Sequence, residues 1–588
     1  LLDFGCRYRG YFSDMTRTFF IGERPEREIE EMYQVVLRSQ DEGEAAARPG
    51  ITAESLDREA RSVIEEAGYG QYFNTRLGHG IGLAIHESPN IMRGNPQTLA
   101  EGMTFSIEPG IYIPGKIGIR IENCVVVTTD GCEPLTKSRI ISNLQDMVRI
   151  RSVEGTPEEG KPFGDGVHQV LNLALETASE LGFRTVNHDG MIGYAEYGSG
   201  KEMVAVLGHL DVVPEGKGWT YPPFGAEIHD GKMFGRGTTD DKGPTIAALW
   251  ALKILSDEDH RLSRRIRIIF GTNEESGFRG IKWYAVNEEA PVAGFTPDIH
   301  EGIVHAEKGG LHIGIDVPVG EHEGISLISF RAGEAVNIVP DQCEADFGGD
   351  PAALEKWAGV LRGALDSTPL GGEVVLEKGT LTVKVFGKAA HASLPEKGEN
   401  AIAALCRLID TNPVSHRPWE AFKVISGLLS DPRFGSDLGI AMSDDISGPL
   451  TCNPGLASLS KGVLTVVFDI RHPVTVKGDL VVERMREKLA PLGLTPLVRS
   501  RNNPLFMPKD SPLIKDLSEA FFETTGKHPK VMAIGGGTYA KALPNIVAFA
   551  PFPSGLPDLA HQADEYIGIE DLLSSVLVIK AAMLRLAR

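Results

Sequence analysis

The chain has 588 residues, of which 42% are hydrophobic and 24% charged, with a formal net charge of -21. This length is too great for one hydrophobic core and predicts about three to five domains. No apolar run approaches the ~20 residues of a membrane helix, and the acidic balance argues against a nucleic-acid partner, because phosphate binding needs a basic surface. The six cysteines lack CxxC spacing, so they predict neither a disulfide framework nor a thiolate zinc site and fit a reducing cytoplasm.

The first predicted elements are two β-segments within residues 1–19, separated by Gly10 as in a hairpin, and helices at about 26–47 and 52–67. Apolar and glycine-rich segments follow. Five residues of metal-ligand type occur in these strand contexts: Asp3, Asp14, His79, Glu108 and Glu122. Such a set suits two hard divalent ions, between which a bridging water becomes a nucleophile near neutral pH.

This series and its order resemble the methionine aminopeptidase and proline dipeptidase family. The resemblance covers residues 1–138 and implies a pita-bread fold in which the five residues bind two metals, with His86 near the substrate. The family's catalytic domain has about as much chain before the first Asp as this module has after it, and residues 1–5 have the pattern of a strand interior. We therefore expect a truncated C-terminal half-domain that binds metal at best, with Xaa-Pro dipeptidase or aminopeptidase activity from residues 1–140 as an alternative.

The join between this module and the next is predicted to be abrupt. Residues 129–136 end the first module, and a helix begins at about residue 140 without a Pro, Gly or Ser linker. Fusions shaped by selection usually carry a flexible connector, so our hypothesis is a gene fragment run into its neighbour, or a frameshift product.

Beyond the join, helices are predicted at 140–151 and 166–181 and strands near 183–187, 192–197 and 203–208. The buried strand 203–207 leads into His209-Leu-Asp211, and a second buried strand, 266–270, leads into Asn273-Glu274-Glu275-Ser276. A third polar cluster, at 236–243, contains Asp240 and opens a helix through residue 255. Open α/β sheets bind ligands at the carboxyl ends of their strands, and so many acidic groups there would repel one another. The pattern predicts a bound pair of cations.

The spacing suggests a role for each member of these clusters. His209 and Asp211 lie two apart at an extended strand end and point the same way, so one can bind metal while the other orients it. Asp240 follows a glycine-flanked turn and is well placed to bridge two ions. Glu274 and Glu275 are adjacent and diverge, which favours Glu275 as ligand and Glu274 as general base and later acid.

Together the motifs of residues 141–588 resemble the PepV-like bacterial dipeptidases of the dinuclear aminoacylase and carnosinase superfamily. The motifs are GHLDVVPEG, GRGTTDDKGP, GTNEESG, TPD, HAEKGG, GGGTYAKALPN and AHQADEY. The resemblance implies that Asp240 bridges two metals and that Asp211 supports His209. It implies further ligands in two pairs: His209 with Asp298, and Glu275 with His561. Zinc, manganese and cobalt all suit this donor set.

Residues 308–502 resemble the inserted lid of that family, with strands near 311–316, 325–330, 381–387 and 463–470. The resemblance implies that His391 polarises the scissile carbonyl and that Asn337 and Arg471 grip the substrate, Arg471 through its terminal carboxylate. Gly536, in a run of three glycines, offers backbone N–H groups near the substrate. One departure from the family is Ile299-His300-Glu301-Gly302, which replaces an acidic-aromatic-proline run and makes His300 a competing ligand.

We therefore expect an α/β protein with three parts. A partial α+β pita-bread domain (1–140) precedes a dinuclear-metal exopeptidase catalytic domain (141–307 and 503–588), into which an α+β lid (308–502) is inserted. The expected function is that of a cytoplasmic metallodipeptidase containing zinc or manganese. In it a metal-bridging water activated by Glu274 attacks the peptide bond of a dipeptide, while one ion and His391 stabilise the oxyanion. An N-acyl amino acid deacylase and a non-catalytic metal-binding fusion product are the alternatives.

Overall fold

The computed structural model describes residues 1–20, 25–135, 139–258, 260–367, 371–414, 419–552 and 557–588. They form two compact units, Leu1–Arg139 and Ile140–Arg588, both mixing helices and strands, as the sequence predicts. Residues 136–138 of the predicted junction lie outside the described residues. Among the helices that the structure describes, none combines the length and apolarity of a membrane span.

The first unit packs two helices against short strands. Its helices are α1 (Arg27–Ala46) and α2 (Ala53–Glu66). Its strands are β1 (Leu2–Phe4), β2 (Arg7–Tyr8), β3 (Tyr11–Phe12), β4 (Met15–Arg17), β5 (Gly78–Gly80), β6 (Glu87–Ile91), β7 (Thr104–Ile107), β8 (Gly110–Ile113), β9 (Ile117–Arg120), β10 (Asn123–Val127) and β11 (Cys132–Pro134).

Local sequence explains these elements. Thr52 caps α2 by accepting a hydrogen bond from the Ser55 amide, and the helix buries Leu56, Ala60 and Ile64 along one stripe. The predicted hairpin is confirmed, since β2 pairs with β3 around Gly10, whose φ is +95°. Strands β11, β10, β7, β5 and β6 form the central sheet in that order, while β1 pairs with β4 in a separate ribbon.

The second unit contains a large central sheet with helices on both faces. Its first helices are α3 (Arg139–Arg149), α4 (Asp165–Glu180), α5 (Lys242–Asp257) and α6 (Arg279–Asn287). Its first strands are β12 (Arg184–Asn187), β13 (Gly193–Tyr197), β14 (Met203–His209), β15 (Glu227–His229), β16 (Lys232–Phe234), β17 (Arg265–Gly271), β18 (Ala293–Thr296) and β19 (Ile303–Glu307).

An antiparallel sheet with its own helices is inserted after β19. The inserted strands are β20 (Gly309–Pro318), β21 (Ile325–Ala332), β22 (Gln342–Gly349), β23 (Gly372–Glu377), β24 (Thr380–Phe386), β25 (Ser443–Asp444), β26 (Gly448–Pro449), β27 (Thr451–Ser460), β28 (Val463–His472) and β29 (Pro496–Asn502). The inserted helices are α7 (Pro351–Asp366), α8 (Ala401–Thr411), α9 (Glu420–Leu428) and α10 (Gly478–Leu489).

The chain then returns to the central sheet. The returning strands are β30 (Leu505–Phe506), β31 (Val531–Ile534), β32 (Ile546–Phe549) and β33 (Tyr566–Gly568), and the helices are α11 (Pro512–Thr525) and α12 (Ile569–Ala587). The central sheet has the order β12, β13, β17, β14, β18, β32, β19, β30, with β31 also paired to β19. The inserted sheet has the order β23, β24, β22, β21, β27, β28, β20, β29. Helices α3, α4, α5, α11 and α12 share one hydrophobic core with the central sheet, and the inserted sheet buries a separate core.

Candidate metal centres

Parallel strands of the central sheet deliver the predicted site residues to one edge. His209 is the last residue of β14 and pairs in register with Gly271, the last residue of β17, so Glu274 follows close beside it. Strand β18 is parallel to β14 on its other side, and Asp298 comes two residues after it ends. This edge is where open α/β sheets bind ligands.

The carboxylate of Asp240 lies between two imidazoles. Its Oδ1 is 3.0 Å from Nε2 of His209, and its Oδ2 is 3.0 Å from Nε2 of His561. Asp298 Oδ2 lies 3.8 Å from the His209 nitrogen, and Glu275 Oε1 lies 3.2 Å from the His561 nitrogen. The structure thus brings the five residues together as two groups that share Asp240.

The buried imidazole of His209 leaves one nitrogen available for a cation. Its Nδ1 is 3.0 Å from the backbone carbonyl oxygen of Asp211, which can only accept, so Nδ1 carries the hydrogen. Among the described residues, Nε2 makes no hydrogen bond, because the nearby Asp240 oxygen lacks hydrogen-bond geometry. A buried nitrogen facing carboxylate oxygens fits a divalent ion with mixed nitrogen and oxygen ligands.

The charges around this edge perturb one another strongly. Burial lowers the pKa of His209, but Asp240 and Asp298 outweigh it and hold that pKa well above its usual range. Burial and the Asp240 charge raise the pKa of Asp298 to about 6. Hydrogen bonds to Asp240 and Glu275 raise the pKa of His561 to about 10. A divalent cation placed among these groups would stabilise the deprotonated carboxylates and would take the place of protons on the two imidazoles.

The adjacent glutamates face different groups, as expected for divergent neighbours. Glu275 lies with Asp240 and His561, whereas Glu274 lies with His209 and Asp298. Burial, followed by the charge of Asp298, raises the pKa of Glu274 well above its usual range. A carboxyl group in this state readily takes up a proton.

Asp211 contacts the site in a way that the sequence does not predict. Its two carboxylate oxygens accept hydrogen bonds of 3.1 Å from the amides of Glu274 and Glu275. The carboxylate is 3.7 Å from His209 Nδ1, and the hydrogen bond that this nitrogen donates goes to the Asp211 backbone carbonyl instead. Asp211 therefore orients the glutamate pair as well as the histidine.

Glu565 is a buried residue of the AHQADEY motif for which the sequence predicts no role. Its carboxylate accepts hydrogen bonds from Arg236, at 2.8 Å, and from the amides of Gly237 and Thr239, at 3.0 and 2.9 Å. The amide of Asp240 lies 3.3 Å from the same carboxylate. Since Glu565 comes four residues after His561, it links the loops of two predicted ligands.

Lys242 is another buried residue for which the sequence predicts no role, and it supports the loop that contains Asp240. Its side chain is fully buried, and Nζ donates to the carbonyls of Met147 and Ile150 at 3.0 and 2.9 Å. Burial lowers the pKa of this lysine to about 7. The interaction connects the end of α3 to the start of α5, two residues after Asp240.

The predicted substrate-binding residues of the inserted region lie on adjacent segments. The backbones of Ile338 and His391 form an antiparallel β-bridge, and the Ala392 amide donates a hydrogen bond to the carbonyl of Asn337. Asn337 and His391 therefore lie on neighbouring segments. His391 Nδ1 lies 2.6 Å from the hydroxyl of Ser393, and Ser393 packs directly against Gly535. The inserted region therefore contacts the glycine run that contains Gly536.

Arg471 is already engaged on one edge of its guanidinium group. Its Nε and Nη2 donate to the two oxygens of buried Asp469, at 2.6 and 2.7 Å. Burial and then the charge of Arg471 lower the pKa of His391. Among the described residues, Nη1 of Arg471 has no hydrogen-bond acceptor, which leaves that nitrogen for a ligand.

Glu307 anchors the end of the glycine run. Its buried carboxylate accepts hydrogen bonds from the Thr538 amide, at 2.9 Å, and from the Thr538 hydroxyl, at 2.6 Å. Lys541 Nζ lies 3.8 Å away, and burial lowers the pKa of Lys541 to about 8. Glu307 is the last residue of β19 before the insertion, so one residue fixes both the glycine run and the start of the inserted sheet.

The first unit gathers its own predicted series. His79 Nε2 lies 3.7 Å from Asp14 and 3.4 Å from Glu108. Ligand-type atoms of Asp3, Asp14 and Glu122 lie within 4.8 Å of one another, as do those of His79, Glu108 and Glu122. His86 packs edge-on against His79 with ring centroids 4.3 Å apart.

Burial dominates the electrostatics of this second cluster. It raises the pKa of Glu108 to about 6 and that of Glu122 to about 7, and it lowers the pKa of His79 to about 4. Glu122 Oε1 is buried without a hydrogen bond to the described residues. Asp3 differs, because its carboxylate is half-exposed and binds Arg120.

Comparison with known proteins supports both resemblances. Residues 1–129 match the family model of Metallopeptidase family M24, and residues 205–585 match that of Peptidase family M20/M25/M40. Both families imply divalent metal ions. The prolidase from Pyrococcus furiosus is 48% identical with a TM-score of 0.23, over 23% of this chain and 40% of that chain. The chain thus spans about two fifths of that prolidase.

Relatives of the second unit match along nearly their whole length. A putative dipeptidase, YtjP, from Bacillus subtilis is 38% identical over 77% of this chain and 98% of its own. A Beta-Ala-Xaa dipeptidase from Lactobacillus delbrueckii subsp. lactis is 28% identical over 77% of this chain and 97% of its own. On the strength of the family model and these relatives, the chain belongs to Peptidase family M20/M25/M40.

Proposed function

We propose that residues 140–588 form a metal-dependent dipeptidase. The observation that carries this proposal is the carboxylate of Asp240, which lies 3.0 Å from an imidazole nitrogen on each side. That arrangement suits an aspartate bridging two ions. The proposal is supported by the relatives named as dipeptidases, one putative and one acting on Beta-Ala-Xaa.

His209 and Asp298 would hold one ion, and Glu275 and His561 the other, with Asp240 shared. Two divalent ions supply a nucleophilic water at neutral pH and polarise the scissile carbonyl. The donors are carboxylates and imidazoles without a thiolate, which suits zinc or manganese. We favour these two metals for that reason.

Glu274 is the residue that would move protons. It lies beside His209 and Asp298 rather than in the group of His561, and its raised pKa favours accepting a proton from the attacking water. The same carboxyl group would then donate that proton to the leaving amine. Asp211 holds the backbone of Glu274 in place by accepting its amide hydrogen bond of 3.1 Å.

The inserted region would orient the dipeptide. Arg471 would bind the terminal carboxylate through the Nη1 side of its guanidinium group, because Asp469 takes the opposite edge. Asn337 and His391 lie together on neighbouring segments, and Gly536 lies in the run that packs against the His391 loop. His391 would polarise the carbonyl of the scissile bond.

Hydrolysis of a substrate panel by the purified full chain tests this function. After metal removal, zinc or manganese is added back, and dipeptides, tripeptides and N-acyl amino acids are compared. We expect metal-dependent release of both amino acids from dipeptides. Preferential hydrolysis of N-acyl amino acids would support a deacylase instead, and metal binding without turnover of any substrate would support a non-catalytic protein.

The cluster of the first unit supports a second metal site without an independent peptidase. Asp14, His79, Glu108 and Glu122 converge, but half-exposed Asp3 is engaged by Arg120. Xaa-Pro dipeptides assayed with the Glu274→Gln chain would separate the two units, because the second unit is then disabled. We expect no Xaa-Pro hydrolysis, and robust turnover would establish the first unit as a peptidase.

We further place this enzyme in the cytoplasm. None of the six cysteines, all of which lie among the described residues, forms a disulfide, and four of them are buried: Cys124, Cys343, Cys406 and Cys452. Burial raises the pKa of Cys124 to about 12, which keeps that thiol protonated and unreactive. Thiols of this kind suit a reducing compartment.

A further inference from the structure

A cavity of about 420 Å³ adjoins the metal centre of the second unit. Asp240 and Asp298 form part of its wall, so it is continuous with the proposed site of hydrolysis. The volume falls within the range of about 300–1,000 Å³ that is typical of pockets for small ligands. The cavity is therefore large enough for a long amino-acid side chain.

The walls of this cavity are apolar, whereas its charged groups are acidic. Val304, Met532, Ile534 and Phe552 provide much of the apolar surface. Glu301, Asp558 and Asp571 add carboxylates that belong to neither ion group. Among the described lining residues there is no lysine or arginine, although Lys530 Nζ approaches Glu301 to 3.9 Å from outside the cavity.

A side chain with an aliphatic stem and a terminal cation matches these apolar walls and acidic groups. Lysine and arginine side chains bury their methylene groups against apolar surface while their charged ends reach polar groups. A side chain with a terminal carboxylate would face three like charges and be disfavoured. A neutral apolar side chain would contact the apolar walls but leave the carboxylates unpaired.

The position of the cavity indicates which residue of a dipeptide would enter it. None of its lining residues comes from the inserted region 308–502, which carries Arg471 and Asn337. If those residues hold the terminal carboxylate, the carboxyl-terminal residue lies toward the inserted region. The residue on the cavity side is then the amino-terminal one.

We infer that this cavity is a binding subsite for the side chain of a basic amino-terminal residue, so that Lys-Xaa and Arg-Xaa dipeptides are preferred substrates. The inference rests on the proposed dipeptidase function and specifies its substrate class. Ile299, His300 and Glu301, which belong to the segment that departs from the related family, line one side of the cavity. Glu301 therefore belongs to a segment in which this chain differs from that family.

The test compares Lys-Ala with norleucine-Ala, whose side chain is of similar length but neutral, and with Glu-Ala. With the metal-loaded full chain, kcat/KM for Lys-Ala should exceed that for norleucine-Ala by about tenfold, a typical gain for one charged contact. Asp571→Asn and Asp558→Asn should each reduce this ratio, and Asp558→Lys should raise the rate on Glu-Ala. Glu176→Gln, at an exposed position on α4, is the matched control and should leave the ratio unchanged.

The outcomes separate this inference from the proposed function. Equal kcat/KM for Lys-Ala and norleucine-Ala, or a ratio untouched by both asparagine variants, would overturn the subsite and leave the dipeptidase standing. Failure to hydrolyse any dipeptide would overturn both. Should Asp571→Asn not fold, because it lies in the first turn of α12, the exposed Asp558 variants decide the question alone.

Discussion

The two units of this chain each gather histidines and carboxylates into a cluster, but they support those clusters very differently. In the second unit, the backbone before Asp240 is fixed by Glu565, and Asp211 holds the glutamate pair. In the first unit, Asp3 lies on β1, which pairs only with β4 among the described strands, and its side chain is 48% exposed. Arg120 binds the Asp3 carboxylate directly.

The two clusters do not differ in the way that burial shifts the pKa values of their carboxyl groups. Burial raises the pKa of Glu122 to about 7 in the first unit and that of Asp298 to about 6 in the second. Both clusters would therefore gain from a cation. The difference lies in how firmly the donors are held, because the surrounding hydrogen bonds set metal affinity and ligand orientation.

The largest effect is expected when Glu274, the proposed acid/base group of the second unit, is replaced. Glu274→Gln should lower kcat on dipeptides by at least about 100-fold, the usual contribution of an acid/base group. Bound metal should be retained, because the proposed ligands of the two ions do not include Glu274. Elemental analysis and steady-state kinetics on the same sample measure both quantities.

Glu275, the neighbour of Glu274, provides the matched control. Glu275→Gln removes an oxygen that lies 3.2 Å from His561 Nε2, so this variant should lose metal as well as activity. Equal metal loss in the two variants would contradict the separate roles of the adjacent glutamates. Normal turnover by Glu274→Gln would reject that residue as the general base.

A smaller effect is expected from Glu565→Gln, which weakens the support around Asp240. Hydrogen bonds to residues that position metal ligands are typically worth about 10- to 100-fold in affinity. We expect weaker metal binding, measured by chelator competition, with kcat largely recovered at saturating metal. Asp564→Asn is the control, because that carboxylate binds Thr220 instead. Unchanged metal affinity in Glu565→Gln would show that the support is dispensable.

Arg471 should affect substrate binding more than turnover. Arg471→Lys keeps a positive charge beside buried Asp469 but loses the planar fork. We expect KM to rise by about tenfold for dipeptides with a free carboxylate, a typical loss for one charged hydrogen bond. Dipeptide amides should be affected much less, and an equal loss on both substrates would argue against carboxylate recognition.

Local sequence patterns predict much of the second unit. The helix expected over residues 242–255 spans Lys242–Asp257, and the strand expected over 203–208 spans Met203–His209. Apolar periodicity and flanking glycines are sufficient for such elements. The same strand ends indicate where His209 and Glu274 meet, because parallel strands present their carboxyl ends on one edge.

Other features depend on contacts between distant parts of the chain. Glu565 accepts hydrogen bonds from Gly237 and Thr239, which lie 328 and 326 residues away. No local pattern reports such a contact, so AHQADEY suggested a histidine ligand but no role for its glutamate. The carboxylate of Asp211 likewise binds amides 63 and 64 residues away, which the spacing to His209 could not indicate.

The smallest effect on dipeptide hydrolysis is expected from changes in the first unit, and this sharpens the contrast between the clusters. In an Asp240→Asn chain, the shared carboxylate of the second unit is lost, so residual bound metal reports on the first unit. Adding Asp14→Asn should remove that metal, because Asp14 is buried and lies 3.7 Å from His79. Adding Asp3→Asn should remove less, since Asp3 is half-exposed and paired with Arg120.

In the otherwise unchanged chain, Asp14→Asn should alter dipeptide kcat/KM by less than about twofold, as is usual for independent sites. A large loss would show that the two clusters act together, and equal metal loss from Asp3→Asn would show that the first unit holds Asp3 as firmly as the second holds Asp240.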